Sequence, residues 1–228
     1  MSADDQVYIQ ALGLGLDPAW RRRTDEERSD DGRRFAEAAA AELDGVRSAT
    51  YSSVGLEPGV DLLFWRMAPS VDALEVSAAA LLRSGLGRWL TVRHSLIGRT
   101  GPSQYVRKPT EQEQSLFAGE RARYLVVYPF TKSTDWYLLS REARQGVMNE
   151  HMRVGHEFPT IRQALAYSFG LDSQDFVVAY ETDDLVAFGD LVRALRSTES
   201  RRSTVSDTPI LLGIRRPIDE ILTLLGAT

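Results

Sequence analysis

The sequence predicts an α+β fold built from two similar halves. Two observations lead to this prediction: an internal repeat, and the same order of strands and helices in each half. The composition, with 43% hydrophobic and 26% charged residues, is that of an ordinary folded globular chain. At 228 residues the chain is long enough for one large domain or two small ones, with a sizeable core.

The internal repeat joins residues 46–74 and 161–188. The first stretch reads VRSATYSSVGLEPGVDLLFWRMAPSVDAL and the second IRQALAYSFGLDSQDFVVAYETDDLVAF. The separation between matched residues falls from 116 to 114 positions, which two single-residue insertions or deletions near a turn would explain. The matched pairs are Tyr51 with Tyr167, Gly55 with Gly170, and Asp61 with Asp175. Chance similarity between two α+β segments is the alternative interpretation.

Each copy of the repeat reads as a strand, a glycine-containing turn, a strand and a capped helix. Ser70 is the predicted cap in the first copy, and Asp183 or Asp184 in the second. Another strand and helix precede each copy: VYIQALGL leads into a helix signalled by Asp17 and Pro18, and YLVVYPF leads into a second helix. With a closing strand such as PILLGIRR, this gives the β-α-β-β-α-β ferredoxin-like pattern twice. We expect the duplicated ferredoxin-like units to pair into a barrel-like dimeric α+β barrel.

The predicted organisation has three parts. Residues 1–97 form the N-terminal half, residues 98–123 a connecting loop, and residues 124–228 the C-terminal half with the candidate site. The loop is rich in glycine, proline and polar residues. A connection of this length is either a flexible linker or an active-site lid, and composition does not separate the two.

Charge and cysteine content exclude several classes of function. Lys and Arg number 27 against 32 Asp and Glu, a net charge of −5 that argues against nucleic-acid or anionic-membrane binding. The absence of cysteine excludes disulfides, thiolate metal sites and cysteine nucleophiles. The start MSADDQ lacks the features of a signal peptide, and no apolar run reaches membrane-spanning length. We therefore expect a cytoplasmic protein.

One histidine stands out in the helix predicted over 140–157. His151 falls within a stripe of apolar residues at helical spacing, formed by Val147, Met148, Val154 and Phe158. The matching part of the first half has no histidine, which suggests an acquired role as a metal or haem ligand. The alternative is a hydrogen-bonded core histidine. His156 lies about 140° further around the helix, so the two histidines cannot bind one ion together.

Two further segments carry candidate residues. Strand alternation places Tyr124, Val126 and Tyr128 on one face, with Lys132 near the end of the strand. Core aromatic residues on an amphipathic strand are the alternative. The segment LVRALRSTESRR contains Arg196, whose cation could bind an anion or simply favour the helix C-terminus.

The run from Tyr124 to Arg202 resembles the chlorite dismutase family, and within it the branch of haem-forming coprohaem decarboxylases. The motifs that carry the resemblance are YLVVYPFTK, DWYLLSREAR, MNEHMRVGHEFP, AYSFGLDSQDFVVAYETDD and LVRALRSTESRR. They keep their order and nearly their spacing over about eighty residues. The N-terminal half resembles the family only in layout. The resemblance implies paired ferredoxin-like units and a homopentamer.

The resemblance also implies roles for individual residues. His151 matches the proximal iron ligand, and Glu199 matches the carboxylate that accepts a hydrogen bond from its second ring nitrogen. Tyr128 matches a tyrosine that becomes a radical and takes a hydrogen atom from a propionate. Lys132 and Arg196 match residues that pair with propionates.

Two features depart from relatives in the family. The histidine that serves as a distal base in the inter-half loop is absent, and Glu111 or Glu113 is the possible replacement. Where chlorite-degrading members carry a distal arginine, Gln163 matches the glutamine of another decarboxylase branch, although Arg162 is adjacent. A missing cation there argues against chlorite chemistry, because a fixed positive charge holds the anionic oxidant.

The function implied by the resemblance is that of an oxidoreductase in haem biosynthesis. It would use hydrogen peroxide to decarboxylate Fe-coproporphyrin III (coprohaem), at once cofactor and substrate, to haem b. The alternatives are a chlorite dismutase or haem peroxidase, and a non-catalytic haem-binding protein.

Overall fold

The computed structural model describes residues 7–41, 43–101, 105 and 120–227. The chain divides into two compact units. The first unit comprises residues 1–100 and 212–228, and the second comprises residues 101–211.

The N-terminal part of the first unit follows the predicted order of elements. These are β1 (Tyr8–Leu16), a 3-10 helix (Pro18–Arg22), α1 (Asp25–Ala40), β2 (Arg47–Glu57), β3 (Val60–Ala68), α2 (Val71–Arg83), a 3-10 helix (Gly85–Trp89) and β4 (Leu90–Arg99). The strands are antiparallel and lie in the order β4-β1-β3-β2.

The second unit repeats this order. Its elements are β5 (Tyr124–Lys132), α3 (Thr134–Leu138), α4 (Arg141–Gly155), β6 (Arg162–Tyr167), β7 (Phe176–Thr182), α5 (Leu185–Arg196), a 3-10 helix (Glu199–Ser203) and β8 (Thr204–Ser206). The antiparallel order β8-β5-β7-β6 matches, strand for strand, that of the first unit.

The chain ends with strand β9 (Leu211–Arg215) and helix α6 (Ile218–Leu225). PILLGIRR does form a strand, β9, but its predicted place is wrong: β8 is the strand that closes the second unit. Residues 212–228 belong to the first unit and not to the predicted C-terminal half 124–228. Within the first unit β9 pairs with β2, where Tyr51 lies opposite Arg215. Among the described residues, no helix is both long enough and apolar enough to cross a membrane.

Helix caps explain where several helices begin. Ser70 accepts a hydrogen bond from the amide of Ala73 at the start of α2, and Asp184 caps α5 in the same way. The helix predicted from Pro18 is wrong in one respect. The chain forms only a 3-10 helix there, and α1 starts after Thr24, whose extended backbone interrupts the helix and whose side chain forms a capping box with Glu27.

The internal repeat has a matching pair of contacts. The Asp61 carboxylate accepts a hydrogen bond from the backbone amide of Leu16 at 2.8 Å. The Asp175 carboxylate accepts one from the backbone amide of Lys132, also at 2.8 Å. The two matched glycines both have a positive φ, 71° and 73°, which glycine adopts without strain. Leu16 and Lys132 are therefore equivalent positions.

Constant separations extend this equivalence to whole elements. The 3-10 helix Pro18–Arg22 and α1 begin 116 residues before α3 and α4. Helix α2 and the 3-10 helix Gly85–Trp89 begin 114 residues before α5 and the 3-10 helix Glu199–Ser203. Each core position of the first unit can thus be matched with one position of the second.

The first unit has an apolar core between its helices and strands. Phe35 of α1 is completely buried and meets Phe64 of β3 edge to face, with ring centroids 6.5 Å apart. The buried members of this cluster include Leu12, Leu14, Leu16, Trp20, Leu62, Leu81, Leu86 and Leu90. At roughly 25 cal/mol per Å² of apolar surface removed from water, such a cluster is the main stabilising term of a unit of this size.

Candidate functional site

Polar side chains in the second unit occupy core positions that are apolar in the first. In the first unit all of these positions are buried within one apolar cluster. The equivalent pairs are Leu12 with Tyr128, Leu16 with Lys132, Phe35 with His151, Leu86 with Ser200, and Leu90 with Thr204. A buried polar group costs stability unless it is paired, so this replacement of five leucine and phenylalanine positions marks a functional site.

Lys132 is the first residue of this group. It is 9% exposed, and its ammonium donates hydrogen bonds to the Ser200 carbonyl at 2.9 Å, the Ser200 hydroxyl at 3.0 Å and the Thr204 hydroxyl at 3.2 Å. The ammonium also lies 4.7 Å from the centroid of the Trp136 ring. Burial, assisted by the charge of Arg201, lowers the Lys132 pKa from 10.5 to about 8.

The pairing of Lys132 with a propionate stays a prediction, because the contacts described above are all with the protein's own groups. The ammonium is directed into the unit, where the 3-10 helix Glu199–Ser203 and β8 supply its oxygen partners. In the described part of the chain, no ion pair of 4.0 Å or less involves Lys132. The structure thus makes Lys132 an internal cation close to His151.

His151 lies on α4, a helix with no fully buried residue. Its Nδ1 atom is shielded from solvent and has no hydrogen-bond partner among the described residues. Burial lowers the His151 pKa to about 4; the charge of Lys132 lowers it further and that of Glu150 opposes the shift. The imidazole is therefore neutral at neutral pH, the form that binds a metal ion.

Glu199 does not lie where the resemblance implies. Its carboxylate is 53% exposed and pairs with Arg202 at 3.4 Å, while its backbone amide donates to Glu150 at 2.9 Å. The expected hydrogen bond from His151 to Glu199 is therefore not formed. The reason is the short 3-10 helix that begins at Glu199, which directs Glu199 outward and the next residue, Ser200, inward.

Tyr128 lies on the face of the sheet that packs against α5, in an apolar cluster with Leu191 of that helix. Its ring stacks on Tyr180 of β7, with centroids 5.9 Å apart and planes at 26°. Burial raises the Tyr128 pKa, and the charge of Asp207 raises it further; the neighbouring Tyr180 and the charges of Arg196 and Arg201 lower it. The hydroxyl thus stays protonated at neutral pH, within range of two cations and one carboxylate.

Arg196 ends α5 on the same side of the unit. One guanidinium nitrogen lies 3.9 Å from the Asp207 carboxylate, and the side chain is 55% exposed. Arg201 holds the same carboxylate more closely, at 2.5 Å. The Arg196 guanidinium is thus largely exposed near Tyr128, and its pairing with a propionate stays a prediction.

Strand register separates Gln163 from Arg162. Gln163 pairs with Tyr180 and so lies on the face that carries Tyr128, whereas Arg162 pairs with Glu181 on the opposite face. There the Arg162 guanidinium binds the completely buried Glu181 carboxylate at 3.0 Å, and Arg121 binds its other oxygen at 2.6 Å. β6 thus presents an amide, not a cation, on the face with Tyr128.

Some predicted features fall outside the described residues. Glu111 and Glu113 are among them, as is most of the connecting loop 98–123. Within the described ranges, no group of three or more His, Asp or Glu residues is arranged to hold a metal ion.

Sequence reasoning missed four residues of the site: Ser200, Thr204, Tyr180 and Asp207. A signal for Ser200 and Thr204 was available, because the repeat separation of 114 residues makes them equivalent to Leu86 and Leu90, which are buried in the first unit. Tyr180 reads as an ordinary core aromatic in a strand. Asp207 follows β8 in a stretch without any periodic pattern.

Comparison with known proteins identifies the family. The family model described as chlorite dismutase matches residues 26–216, most of the chain. The chain belongs to the chlorite dismutase family. Members of this family bind haem or coprohaem and include enzymes.

Relatives within the chlorite dismutase family are moderately similar. The coproheme decarboxylase of Mycolicibacterium smegmatis is 29% identical over 174 residues, which cover 75% of this chain and 74% of the relative. The chlorite dismutase of Ideonella dechloratans is 29% identical over 148 residues, 61% of this chain and 52% of the relative. A mutant chlorite dismutase from Candidatus Nitrospira defluvii has a similar structure, with a TM-score of 0.88, 28% identity, and coverage of 97% of this chain and 96% of that one.

The site residues fit the iron porphyrin that members of the chlorite dismutase family bind. His151 offers a neutral imidazole with a buried, unpaired nitrogen, an atom that a buried site leaves unpaired only at a cost of about 1–3 kcal/mol. Helix α4, which carries it, buries no side chain fully, in contrast to α1 with its buried Phe35. A flat apolar macrocycle would cover this helix, and its iron would be held by the imidazole of His151.

Proposed function

We propose that this member of the chlorite dismutase family is a coprohaem decarboxylase, which converts Fe-coproporphyrin III to haem b with hydrogen peroxide. Each propionic acid group and one hydrogen peroxide give a vinyl group, carbon dioxide and two water molecules, and the reaction occurs twice through a three-propionate intermediate. The observation that carries the proposal is the replacement of apolar core positions by Tyr128, Lys132 and His151 in the second unit alone.

His151 would hold the iron of the bound substrate. Its low pKa means that no proton has to be displaced at neutral pH before the nitrogen can coordinate. Lys132, fixed by Ser200 and Thr204, keeps a positive charge near the imidazole and favours its neutral form. Lys132 would therefore act on the iron ligand and not on a propionate.

Tyr128 would carry out the hydrogen abstraction. The iron porphyrin supplies the oxidising power when it reacts with peroxide. Tyr128 then loses one electron and one proton, and its phenoxyl oxygen takes a hydrogen atom from the propionate carbon next to the ring. The radical would then give up a second electron to the oxidised iron centre as the bond between the neighbouring CH2 carbon and the carboxylate breaks, which leaves the vinyl group and releases carbon dioxide.

Arg196 and Gln163 would position the propionates. Arg196 has an exposed guanidinium near Tyr128, and a charge-assisted hydrogen bond to a carboxylate is stronger than a neutral one. Gln163 shares the Tyr128 face of the sheet and offers amide donors. An amide in place of a cation also disfavours chlorite as the oxidant.

Further parts of the proposal concern the assembly. We infer that the two units, which share one strand order, are duplicated ferredoxin-like units that pair into a dimeric α+β barrel. A cytoplasmic homopentamer that serves haem biosynthesis follows from the resemblance to the decarboxylase branch.

The test is anaerobic mixing of the protein with coprohaem, followed by titration with hydrogen peroxide and identification of products by mass. We expect the loss of two carbon dioxide units and a product identical to haem b. Coprohaem that stays unchanged while haem b binds tightly would indicate a haem carrier instead. Sustained oxygen evolution on addition of chlorite to the haem-loaded protein would indicate a chlorite dismutase.

A pair of variants isolates the role of Tyr128. Tyr128→Phe is expected to bind coprohaem with an affinity close to that of the wild type and to form no vinyl product. Tyr124→Phe, on the same face of the same strand, is the matched control and should react normally. Conversion by Tyr128→Phe at the wild-type rate would contradict the radical role.

A further inference from the structure

Tyr137 of α3 is the most exposed of the eight tyrosines, all of which lie in the described part of the chain. It is 38% exposed, and its ring meets that of Phe169, itself 48% exposed, edge to face with centroids 6.0 Å apart. Its hydroxyl donates a hydrogen bond to the Asp175 carboxylate at 2.7 Å. A bond this short is typical of a hydroxyl that faces an ionised acceptor. The surface of the second unit thus carries a phenol held by a carboxylate.

The first unit has no such pair. The repeat separation of 116 residues makes Tyr137 equivalent to Arg21, and that of 114 residues makes Asp175 equivalent to Asp61. Asp61 keeps the backbone contact of this position, but among the residues that the structure describes no side chain donates a hydrogen bond to it. Tyr137 therefore departs from the repeat in the same unit as the other site residues.

Two links join this pair to the site. The Asp175 oxygen that accepts the Tyr137 hydroxyl also accepts the backbone amide of Lys132 at 2.8 Å. Trp136, the chain neighbour of Tyr137, is 3% exposed, and its ring centroid lies 4.7 Å from the Lys132 ammonium. Tyr137 is thus one residue away from a buried aromatic ring of the site and is itself accessible from solvent.

The charges around the two neighbouring rings decide which of them is more easily oxidised. The Lys132 ammonium beside the Trp136 ring disfavours positive charge on the indole. Tyr137 has the Asp175 carboxylate instead, which can accept its proton as the electron leaves. Burial and the bond to Asp175 raise the Tyr137 pKa, so the hydroxyl stays protonated until it is oxidised. Tyr137 is therefore the better electron donor of the two.

We propose that Tyr137 and Asp175 form an electron-donor site, at which small soluble phenols deliver electrons to the bound iron porphyrin. This peroxidase activity is additional to the proposed decarboxylation, and it rests on the proposed function only for its oxidant, hydrogen peroxide with the iron porphyrin. Phenols are the expected donors because the exposed rings of Tyr137 and Phe169 present an aromatic surface to solvent.

Each transfer moves one electron and one proton. Tyr137 gives an electron to the iron porphyrin that peroxide has oxidised, and its proton moves to the Asp175 carboxylate. A phenol from solution then gives an electron to the tyrosyl radical and releases its own proton, while Asp175 returns the first proton to Tyr137. Two such transfers, with the two released protons, convert one hydrogen peroxide into two water molecules and leave two phenoxyl radicals.

The first test uses the ligand-free protein. Light, a ruthenium tris-bipyridine sensitiser and persulfate oxidise tyrosines from solution, and time-resolved absorption follows the tyrosyl radical. Tyr137→Phe and Asp175→Asn should each form the radical at least about tenfold more slowly than the wild type, because the exposed phenol or its proton acceptor is missing. Tyr137→Phe keeps the ring that meets Phe169, so its effect reports the hydroxyl and not the packing.

The control for this test is Tyr124→Phe, which removes a half-buried tyrosine and should react like the wild type. Circular dichroism confirms that each variant is folded. An unchanged rate of radical formation in Tyr137→Phe or in Asp175→Asn would overturn the proposal, whatever reaction the protein catalyses.

The second test uses the haem b-loaded protein with hydrogen peroxide and guaiacol, a small phenol. Tyr137→Phe should oxidise guaiacol at least about tenfold more slowly than the wild type. In samples frozen during the reaction without guaiacol, EPR spectroscopy should detect a tyrosyl radical in Tyr128→Phe that is lost when Tyr137→Phe is added. Tyr124→Phe is again the control.

The outcomes separate this inference from the proposed function. Guaiacol oxidation at the wild-type rate in Tyr137→Phe would refute the electron-donor site and leave decarboxylation, measured separately with coprohaem, standing. No vinyl product from the wild type would refute the decarboxylase function, whereas guaiacol oxidation that depends on Tyr137 would still support the electron-donor site.

Discussion

The Lys132 ammonium and the Ser200 hydroxyl are hydrogen-bonded at 3.0 Å, at positions where the first unit places buried Leu16 and Leu86. A buried cation that relies on neutral oxygens gains less than it loses in desolvation, and its lowered pKa reports this cost. Such an arrangement is retained when its charge has a function. Here the positive charge of Lys132 helps to lower the pKa of His151 and so favours the neutral imidazole.

The first prediction concerns stability in alkaline solution. The Lys132 pKa falls from 10.5 to about 8 on folding, so between these values the unfolded chain binds more protons than the folded one. The unfolding free energy of the wild type should therefore rise, relative to that of Lys132→Met, as the pH increases from about 8 to 10.5, by at most about 3 kcal/mol.

Urea denaturation at intervals across this range measures the difference. Arg153→Met, which removes an exposed cation of α4, is the control and should show no comparable change relative to the wild type. Parallel curves for the wild type and Lys132→Met would mean that the ammonium is not buried as described.

The second prediction concerns acid. The His151 pKa falls from 6.5 to about 4 on folding, and the unfolded chain therefore binds more protons between these values. Stability from this group is fully present above pH 6.5 and is lost as the pH falls towards 4. The ligand-free wild type should lose up to about 3 kcal/mol relative to His151→Phe over this interval.

Acid titration of the folded fraction, followed by circular dichroism, checks this expectation. His156→Phe is the matched control, because His156 is exposed at the end of the same helix and should behave like the wild type. Equal acid sensitivity in His151→Phe and the wild type would show that the imidazole of His151 is exposed to solvent and not buried.

The third prediction concerns iron binding. His151→Phe installs the residue of the first unit and should remove the axial imidazole, with a loss of at least tenfold in affinity for haem b and for coprohaem. His151→Gly should regain the imidazole-ligated absorption spectrum when free imidazole is added. Absorption titrations measure both effects. A wild-type spectrum in His151→Phe would show that another residue binds the iron.

The fold could be predicted from the sequence largely because its determinants are local. Hydrophobic alternation, the glycine turn and the caps Ser70 and Asp184 depend on residues a few positions apart. The break before α1 was missed because Thr24 competes with the start signal at Pro18, and the extended backbone of Thr24 prevails.

The site could be predicted only where a residue departs from its chemical surroundings. His151 in an apolar stripe is such a departure. Its counterpart Phe35 is a buried core residue of the first unit, which shows that the position itself is apolar. Ser200 and Thr204 could be found only by comparing the two copies of the repeat, since they are common residues and their bonds to Lys132 span 68 and 72 positions of the chain. The outward orientation of Glu199 depends on a short 3-10 helix that has no sequence signature.

The last prediction concerns the face of the sheet opposite Tyr128. Glu181 is completely buried and binds both Arg121 and Arg162, so its neutralisation would leave two cations without their shared counter-charge. Glu181→Gln, which keeps the shape of the side chain, should lower the unfolding free energy by about 3 kcal/mol. Glu157→Gln is the control, because Glu157 pairs with Arg153 in solvent and should cost less than about 1 kcal/mol. Urea denaturation at neutral pH compares the two, and equal losses would show that the carboxylate of Glu181 is not the centre of a buried ion pair.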